Sequence, residues 1–100
     1  MSDTIELVRF RLQQGKTAVE WLKANEKIND WIRQQPGFRF RSLSETEDGE
    51  WLDLVYWENL EAAKASGEKF RQDMLPLCAP LVANDSVVVS HSKAHVMQRG

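Results

Sequence analysis

Apolar and polar residues alternate along four short stretches of the chain, which is the pattern of strands with one covered face. The stretches cover residues 4–12, 38–44, 50–57 and 86–92. In the first, the apolar residues Val8 and Phe10 alternate with Arg9 and Arg11. The acidic turn at 45–50 contains an Asp-Gly pair and predicts a hairpin between the second and third strands.

One longer stretch, residues 17–35, repeats apolar residues at the spacing of an amphipathic helix. It begins with Thr17 and Glu20 at the spacing of a capping box, in which each side chain bonds the other residue's backbone amide. Pro36 and Gly37 follow it and end the helical pattern. The sequence therefore predicts a first helix with a defined start and stop.

A second helical stripe follows Asn59, whose side chain is suited to accept from an amide of the first helical turn. The stripe runs to Leu77, but Gly67 and Pro76 interrupt it. Glycine weakens a helix and proline breaks its hydrogen bonding, so we expect a kinked or two-piece helix.

The element order is β-α-β-β-α-β, the split βαβ order of ferredoxin-like α+β domains. Right-handed crossovers then place both helices on one face of a four-stranded antiparallel sheet. A chain of 100 residues fits one such domain over 1–100, with residues 93–100 as a loose tail or arm.

Residue parity along the strands assigns side chains to the two faces of the sheet. The face expected under the helices consists of Val8, Phe10, Leu12, Phe38, Phe40, Leu52, Leu54 and Tyr56. The face expected to be free of helices consists of Leu7, Arg9, Arg11, Arg39, Arg41, Leu43, Trp51, Asp53, Val55 and Trp57. Strand 4 fits either parity, and His91 joins the helix-free face in one of them. Arginines mixed with large tryptophans suit a half-polar space between two facing sheets, so we predict a homodimer.

Composition limits the function classes without selecting one. The formal net charge is −2, from 13 basic and 15 acidic side chains, which offers no field for nucleic acid or an anionic membrane. The apolar runs are far shorter than a membrane span, and the N-terminus lacks a secretory pattern. A single cysteine, Cys78, cannot form an internal disulfide, so we expect a reducing cytoplasmic location.

The stretch GEWLDLVYWENLEAA, residues 49–63, resembles the strand-to-helix signature of the antibiotic biosynthesis monooxygenase-like family of the dimeric α+β barrel superfamily. The turn at 36–38 resembles the family's entry into its second strand, and QQGK at 13–16 resembles its first β-to-α connection. The resemblance covers nearly the whole chain. It implies two four-stranded sheets facing each other in a homodimeric barrel, with helices outside. It also implies a ligand pocket inside the barrel or between each sheet and its helices.

The family includes cofactor-independent monooxygenases of polyaromatic substrates and haem-degrading monooxygenases. Trp57 matches the tryptophan of the substrate region in the oxygenases. Ser66 stands where many members have His or Trp, and residues 71–75 lack the histidine that the haem-degrading members place after the position of Phe70. No axial haem ligand is therefore carried over.

The candidate pocket residues are Trp57, Asp53, Arg9, Arg41, Trp51 and His91. Trp57 either stacks on an aromatic ligand or seals the corner between strand and helix. The arginines either bind an anionic oxygen or pair with acids such as Asp53. His91 is either a proton carrier or a histidine at the rim of the sheet. No residue is assigned a catalytic role.

The sequence supports neither a metal nor a cofactor. The two histidines, His91 and His95, lie on a strand and a tail, where their spacing does not suit a shared metal ion. Phosphate loops and redox cysteine pairs are also missing. Two functions follow from the residues and the resemblance. The first is a cofactor-free monooxygenase of small aromatic or polyketide-like molecules. The second is a non-catalytic, dimeric small-ligand-binding or stress-associated protein.

Overall fold

A computed structural model describes residues 3–100 of the chain. The elements occur in the predicted order. They are β1 (Thr4–Phe10), α1 (Ala18–Ile32), β2 (Phe38–Glu45), β3 (Trp51–Trp57), α2 (Leu60–Asp73), α3 (Leu75–Cys78), a 3₁₀ turn (Asn84–Ser86) and β4 (Val88–Lys93). The strands form one antiparallel sheet in the order β2-β3-β1-β4. The α+β ferredoxin-like fold is therefore confirmed.

Helix α1 begins with the predicted capping box. The Glu20 amide donates to the Thr17 hydroxyl at 3.2 Å, and the Thr17 amide donates to the Glu20 carboxylate at 3.0 Å. The helix ends at Ile32, three residues before the predicted end, and a turn follows. Gly37 closes this turn at φ +82°, and a Cβ there would lie 2.7 Å from the Cβ of Ala62. Only glycine tolerates both the positive φ and the close contact with Ala62. Glycine at this position therefore allows the turn to bring β2 close to the start of α2.

The second helix is in two pieces, as predicted. Asn59 caps α2, since its side-chain oxygen accepts from the Ala62 amide at 2.8 Å. The helix continues through Gly67 and breaks at Met74, immediately before α3, whose first turn contains Pro76. Proline lacks an amide hydrogen but fits the first turn of a helix, so it begins a new helix instead of extending the old one.

The strand boundaries differ from the prediction at the end of β1 and at both ends of β4. β1 ends at Phe10, while Leu12 forms an isolated bridge with Val82. The predicted start of the last strand is taken by the 3₁₀ turn. β4 extends through Lys93, and the Ala94 amide donates to the Asp3 carbonyl at 2.9 Å. The remaining residues, 95–100, are exposed and have no regular secondary structure.

The register of the sheet determines which side chains share a face, because directly opposed residues point the same way. Val8 opposes Asp53, Phe10 opposes Trp51, and Glu6 opposes both Val55 and His91. Phe10 and Trp51 pack with Trp21 and Ile28 of α1 in one buried cluster. The side of the sheet that carries Phe10 and Trp51 is therefore called the covered face. It includes Glu6, Val8, Phe10, Phe38, Arg41, Leu43, Trp51, Asp53, Val55, Trp57, Val89 and His91.

The opposite side, which we call the open face, includes Ile5, Leu7, Arg9, Phe40, Ser42, Ser44, Leu52, Leu54, Tyr56, Val88, Ser90 and Ser92. The parity prediction was therefore right for Val8 and Phe10 of β1 but inverted for β3. The physical reason is that β3 carries large apolar residues at both parities, so alternation does not distinguish its two faces.

A bulge explains the error on β2. Phe38 opposes Trp57, whereas Phe40 opposes Tyr56, so the register shifts between the two phenylalanines. The extra residue turns Phe38 to the covered face, as predicted, and Phe40 to the open face, where it is 54% exposed. Arg41 and Leu43 consequently lie under the helices instead of on the helix-free side where parity placed them.

No helix in the described range, residues 3–100, is long and apolar enough to cross a membrane.

Candidate functional site

A cavity of about 520 Å³ lies between the covered face of the sheet and the helices, and we call it the sheet–helix cavity. Its wall is mainly apolar and aromatic. Residues from the sheet side of the wall are Glu6, Val8, Phe10, Arg41, Asp53, Val55, Trp57, Val89 and His91. Residues from the helix side include Trp21, Ile28, Trp31, Ser66, Phe70 and Cys78. Volumes of this order, with few polar groups, are typical of small-molecule sites.

The first polar group in the wall joins three strands. The Glu6 carboxylate accepts from the Trp57 indole Nε1–H at 3.3 Å and contacts His91 Nε2 at 2.9 Å. Glu6 and His91 are direct neighbours across β1 and β4, so the backbone register itself brings the two side chains together. The Glu6 side chain is only 16% exposed. Within residues 3–100 the Nδ1 atom of His91 has no hydrogen-bond partner.

The second polar group is an ion pair below α1. Arg41 donates to Asp53 at two points, from Nε at 3.0 Å and from a terminal nitrogen at 2.8 Å. Its terminal nitrogens also donate to the side-chain oxygens of Asn25 at 2.6 Å and Asn29 at 2.7 Å. Of the two interpretations of the arginines, the structure shows pairing with Asp53 for Arg41, whereas Arg39 pairs with Asp3. The Arg41 side chain is 6% exposed, and four of its five N–H groups donate to side chains within the protein.

The helix side of the wall is less polar. Trp31 and Phe70 pack edge to face with ring centroids 5.6 Å apart, and the Trp31 indole donates to Asp73 at 2.9 Å. Cys78 is buried in the wall, and burial, aided by the Asp53 charge, raises the pKa of its thiol to about 11. The thiol therefore remains protonated at neutral pH and behaves as a small apolar group.

The six candidate residues from the sequence separate into two groups. Four of them line the sheet–helix cavity: Trp57, Asp53, Arg41 and His91. The other two do not. Trp51 is buried in the core against Phe10, and Arg9 lies on the open face, where it pairs with Glu50 at 3.1 Å. Trp57 is 1% exposed, so it fills the corner between strand and helix and contacts Phe38 edge to face.

Glu6 was not among the site residues predicted from the sequence. A signal for it was present, because Glu6 has the same parity as Val8 and Phe10 and is the acidic member of a stripe that goes under the helices. A carboxylate on a covered strand face requires a partner, and this requirement points to a polar site.

Metal ligands are not grouped in this part of the chain. Within residues 3–100, no three His, Cys, Asp or Glu side chains come together in an arrangement that would hold an ion. The carboxylates of the cavity wall instead contact other side chains: Asp53 contacts Arg41, Glu6 contacts Trp57 and His91, and Glu68 contacts Arg71.

The chain was compared with protein families, with known sequences and with solved structures. No family model matches the chain. An uncharacterized 11.0 kDa protein of enterobacteria phage T4, encoded in the Gp24-hoc intergenic region, is 32% identical over 62 residues. That match covers 56% of this chain and 66% of the phage protein.

Three solved structures have the same fold at low sequence identity. A candidate antibiotic biosynthesis monooxygenase of Bordetella bronchiseptica has a TM-score of 0.82 at 13% identity, covering 96% of this chain and 100% of its own. SnoaB, a cofactor-independent oxygenase of Streptomyces nogalater, has a TM-score of 0.69 at 15% identity, covering 99% and 97%. The ActVA-Orf6 monooxygenase of Streptomyces coelicolor, solved with nanaomycin D, has a TM-score of 0.66 at 16% identity, covering 99% and 93%. The chain therefore has the fold of antibiotic biosynthesis monooxygenase-like proteins, and the predicted resemblance is confirmed at the level of the fold.

Proposed function

We propose that the sheet–helix cavity binds a small aromatic molecule and that the protein oxidises it with dioxygen, without a cofactor. The observation that supports this proposal best is the Glu6–His91 pair in the wall of a mainly apolar cavity. A carboxylate that holds an imidazole in place is a recurring arrangement for proton transfer, and an apolar wall excludes water from a reactive carbanion.

The pair defines which imidazole nitrogen is the base. An ionised Glu6 carboxylate only accepts hydrogen bonds, so Nε2 of His91 carries the hydrogen between them. Nδ1 then has the free lone pair and accepts a proton from the ligand. The resulting imidazolium lies between Glu6 and the ligand anion, where its charge stabilises both.

The reaction is balanced without an added reductant. His91 removes a proton from an activated CH2 group, and the carbanion passes an electron to dioxygen. The two radicals combine to a carbon-bound peroxide, which takes the proton back from His91. Loss of the second C–H proton with cleavage of the O–O bond gives a carbonyl and water. The CH2 carbon loses four electrons in total, which reduce both atoms of dioxygen, one to the carbonyl oxygen of the product and the other to water.

Other wall residues have supporting roles in this proposal. Trp57 holds Glu6 through its indole N–H and closes the cavity corner. Arg41 is neutralised by Asp53 and donates four of its five N–H groups to Asp53 and two asparagines, so we assign it to the structure of the wall and not to binding of an oxyanion. Trp31 and Phe70 supply aromatic surface for a flat ligand.

We further propose a homodimer in which two open faces pack together. Leu7 and Leu54 oppose each other at the centre of this face, and Phe40 packs edge to face on Tyr56 at 6.0 Å. The open face also carries serines at 42, 44, 90 and 92, and the apolar patch between them favours burial against a second copy. We place the protein in the cytoplasm, where its one cysteine remains reduced.

The alternative is a non-catalytic binding protein with the same cavity. Ser66 favours this alternative. It lines the wall at a position where many members of the resembled family have His or Trp, so His91 has no second imidazole beside it in the described wall. Incubation with anthrone, followed by an oxygen electrode and chromatography, separates the two functions. An oxygenase consumes one dioxygen per anthrone converted to anthraquinone, at a rate above the uncatalysed one, and stops under argon. Saturable binding of anthrone with the uncatalysed rate of oxidation would instead identify a binding protein.

A further inference from the structure

Every charged group deep in the sheet–helix cavity already has a partner in the wall. Arg41 is neutralised by Asp53 through two contacts and is further engaged by Asn25 and Asn29. Glu6 contacts His91 and the Trp57 indole. If His91 is protonated, the Glu6–His91 pair is neutral, and if His91 is neutral, the pair has a charge of −1. In neither state does the interior offer an uncompensated positive charge.

The cations at the margin of the cavity lie on α2. Lys64 is exposed, and Arg71 pairs with Glu68 at 3.6 Å. The Glu68 side chain is 75% exposed, in contrast to 16% for Glu6. A charge on Glu68 is therefore screened by water, whereas a charge on Glu6 acts through a low-dielectric wall.

From this distribution we infer that Glu6 is a specificity-determining residue, which makes the cavity select uncharged aromatic ligands over those with a carboxylate. The inference rests on the proposed ligand-binding function of the cavity. A carboxylate that entered would lose its water shell, meet an Arg41 charge that Asp53 already neutralises, and approach the Glu6 charge. An uncharged ligand of the same shape avoids all three penalties, and an O–H or N–H on it gains Glu6 as an acceptor.

The test uses two probes that have nearly the same shape and differ in charge, 2-naphthamide and 2-naphthoate. Isothermal titration calorimetry on the full chain at neutral pH gives both dissociation constants. The wild-type protein is expected to bind the amide at least about tenfold more tightly than the carboxylate. This comparison needs no variant, so it does not depend on how a substitution affects folding.

Two variants then locate the cause. Glu6→Gln removes the buried charge while its side-chain oxygen still accepts from Trp57, and it is expected to narrow the amide-to-carboxylate ratio by about tenfold. Glu68→Gln removes the same charge at the exposed margin and is expected to change the ratio by less than about threefold. Circular dichroism confirms that both variants are folded.

The outcomes separate this inference from the function on which it rests. If 2-naphthoate binds as tightly as 2-naphthamide or more tightly, the charge selectivity is refuted while the cavity remains a ligand site. An equal change of the ratio in both variants refutes the specific role of Glu6. Failure of both probes to bind at millimolar concentration refutes the proposed ligand cavity and the selectivity together.

Discussion

Arg41 and Asp53 form a two-point ion pair between adjacent strands β2 and β3, with nitrogen–oxygen distances of 3.0 and 2.8 Å. The pair lies under α1, where Asn25 and Asn29 complete the coordination of the guanidinium. Sequence analysis expected the same two residues on the helix-free side of the sheet, facing a partner subunit. Their actual position makes them part of the connection between sheet and helix.

This position predicts a large loss of stability when one partner is removed. Asp53→Asn leaves the Arg41 charge buried without a counter-charge, which is expected to lower the free energy of unfolding by about 3 kcal/mol. Urea denaturation monitored by tryptophan fluorescence measures this change in the free energy of unfolding. The matched control is Glu50→Gln, which breaks the exposed pair with Arg9 and is expected to cost less than about 1 kcal/mol. Equal losses in the two variants would contradict the buried role of the Arg41–Asp53 pair.

Cys78 predicts a specific dependence of stability on pH. Burial raises the pKa of its thiol from 9.0 to about 11, so the folded protein keeps the proton over a range in which the unfolded chain releases it. This contribution to stability is complete below pH 9.0 and is lost as the pH rises towards about 11.

Chemical denaturation across that interval measures the effect against Cys78→Ala, which retains every other group that titrates in alkali. The free energy of unfolding of the wild-type protein is expected to fall more steeply with pH than that of the variant. Parallel curves for the two proteins would show that the thiol has the same pKa in the folded and unfolded states.

The open face predicts the association state. A charge at its centre, Leu54→Glu, is expected to convert a wild-type dimer into a monomer at micromolar concentration, because two sheets cannot pack with buried, unpaired carboxylates. Sedimentation velocity measures the change. Leu22→Glu is the matched control, since Leu22 is 51% exposed on α1, away from the open face, and its variant is expected to remain dimeric. A wild-type protein that sediments as a monomer would overturn the proposed interface.

How far the sequence predicts this structure depends on the strength of the local signals. Thr17 with Glu20, Asn59 and Pro76 each act on their own turn of the chain, and the helix starts and the helix break were predicted from them. The order of elements then gave the fold. These signals are local, so they can be read from the sequence without knowledge of the tertiary contacts.

The assignment of faces failed because it depends on contacts between strands. β3 has large apolar residues at both parities, and the bulge next to Phe40 reverses the parity of β2 after Phe38. The first fact leaves β3 without an alternation that distinguishes its faces, and the bulge is not visible in a single strand. Because of this error, Trp57 and Asp53 were assigned to the helix-free face. Glu6 was not recognised as a site residue, because its role depends on the register that places it opposite His91.

The central claim is that His91, held by Glu6, is the base of an oxygenase in the sheet–helix cavity, and the two histidines of the chain test it directly. Initial rates of enzyme-dependent anthrone oxidation are compared for the wild-type protein, His91→Gln and His95→Gln. Glutamine at position 91 can still donate to Glu6 but does not take up a proton, so the rate is expected to fall about 100-fold. His95 lies outside the cavity wall, and its variant is expected to retain the wild-type rate. An unchanged rate in His91→Gln, or an equal loss in both variants, would contradict the claim.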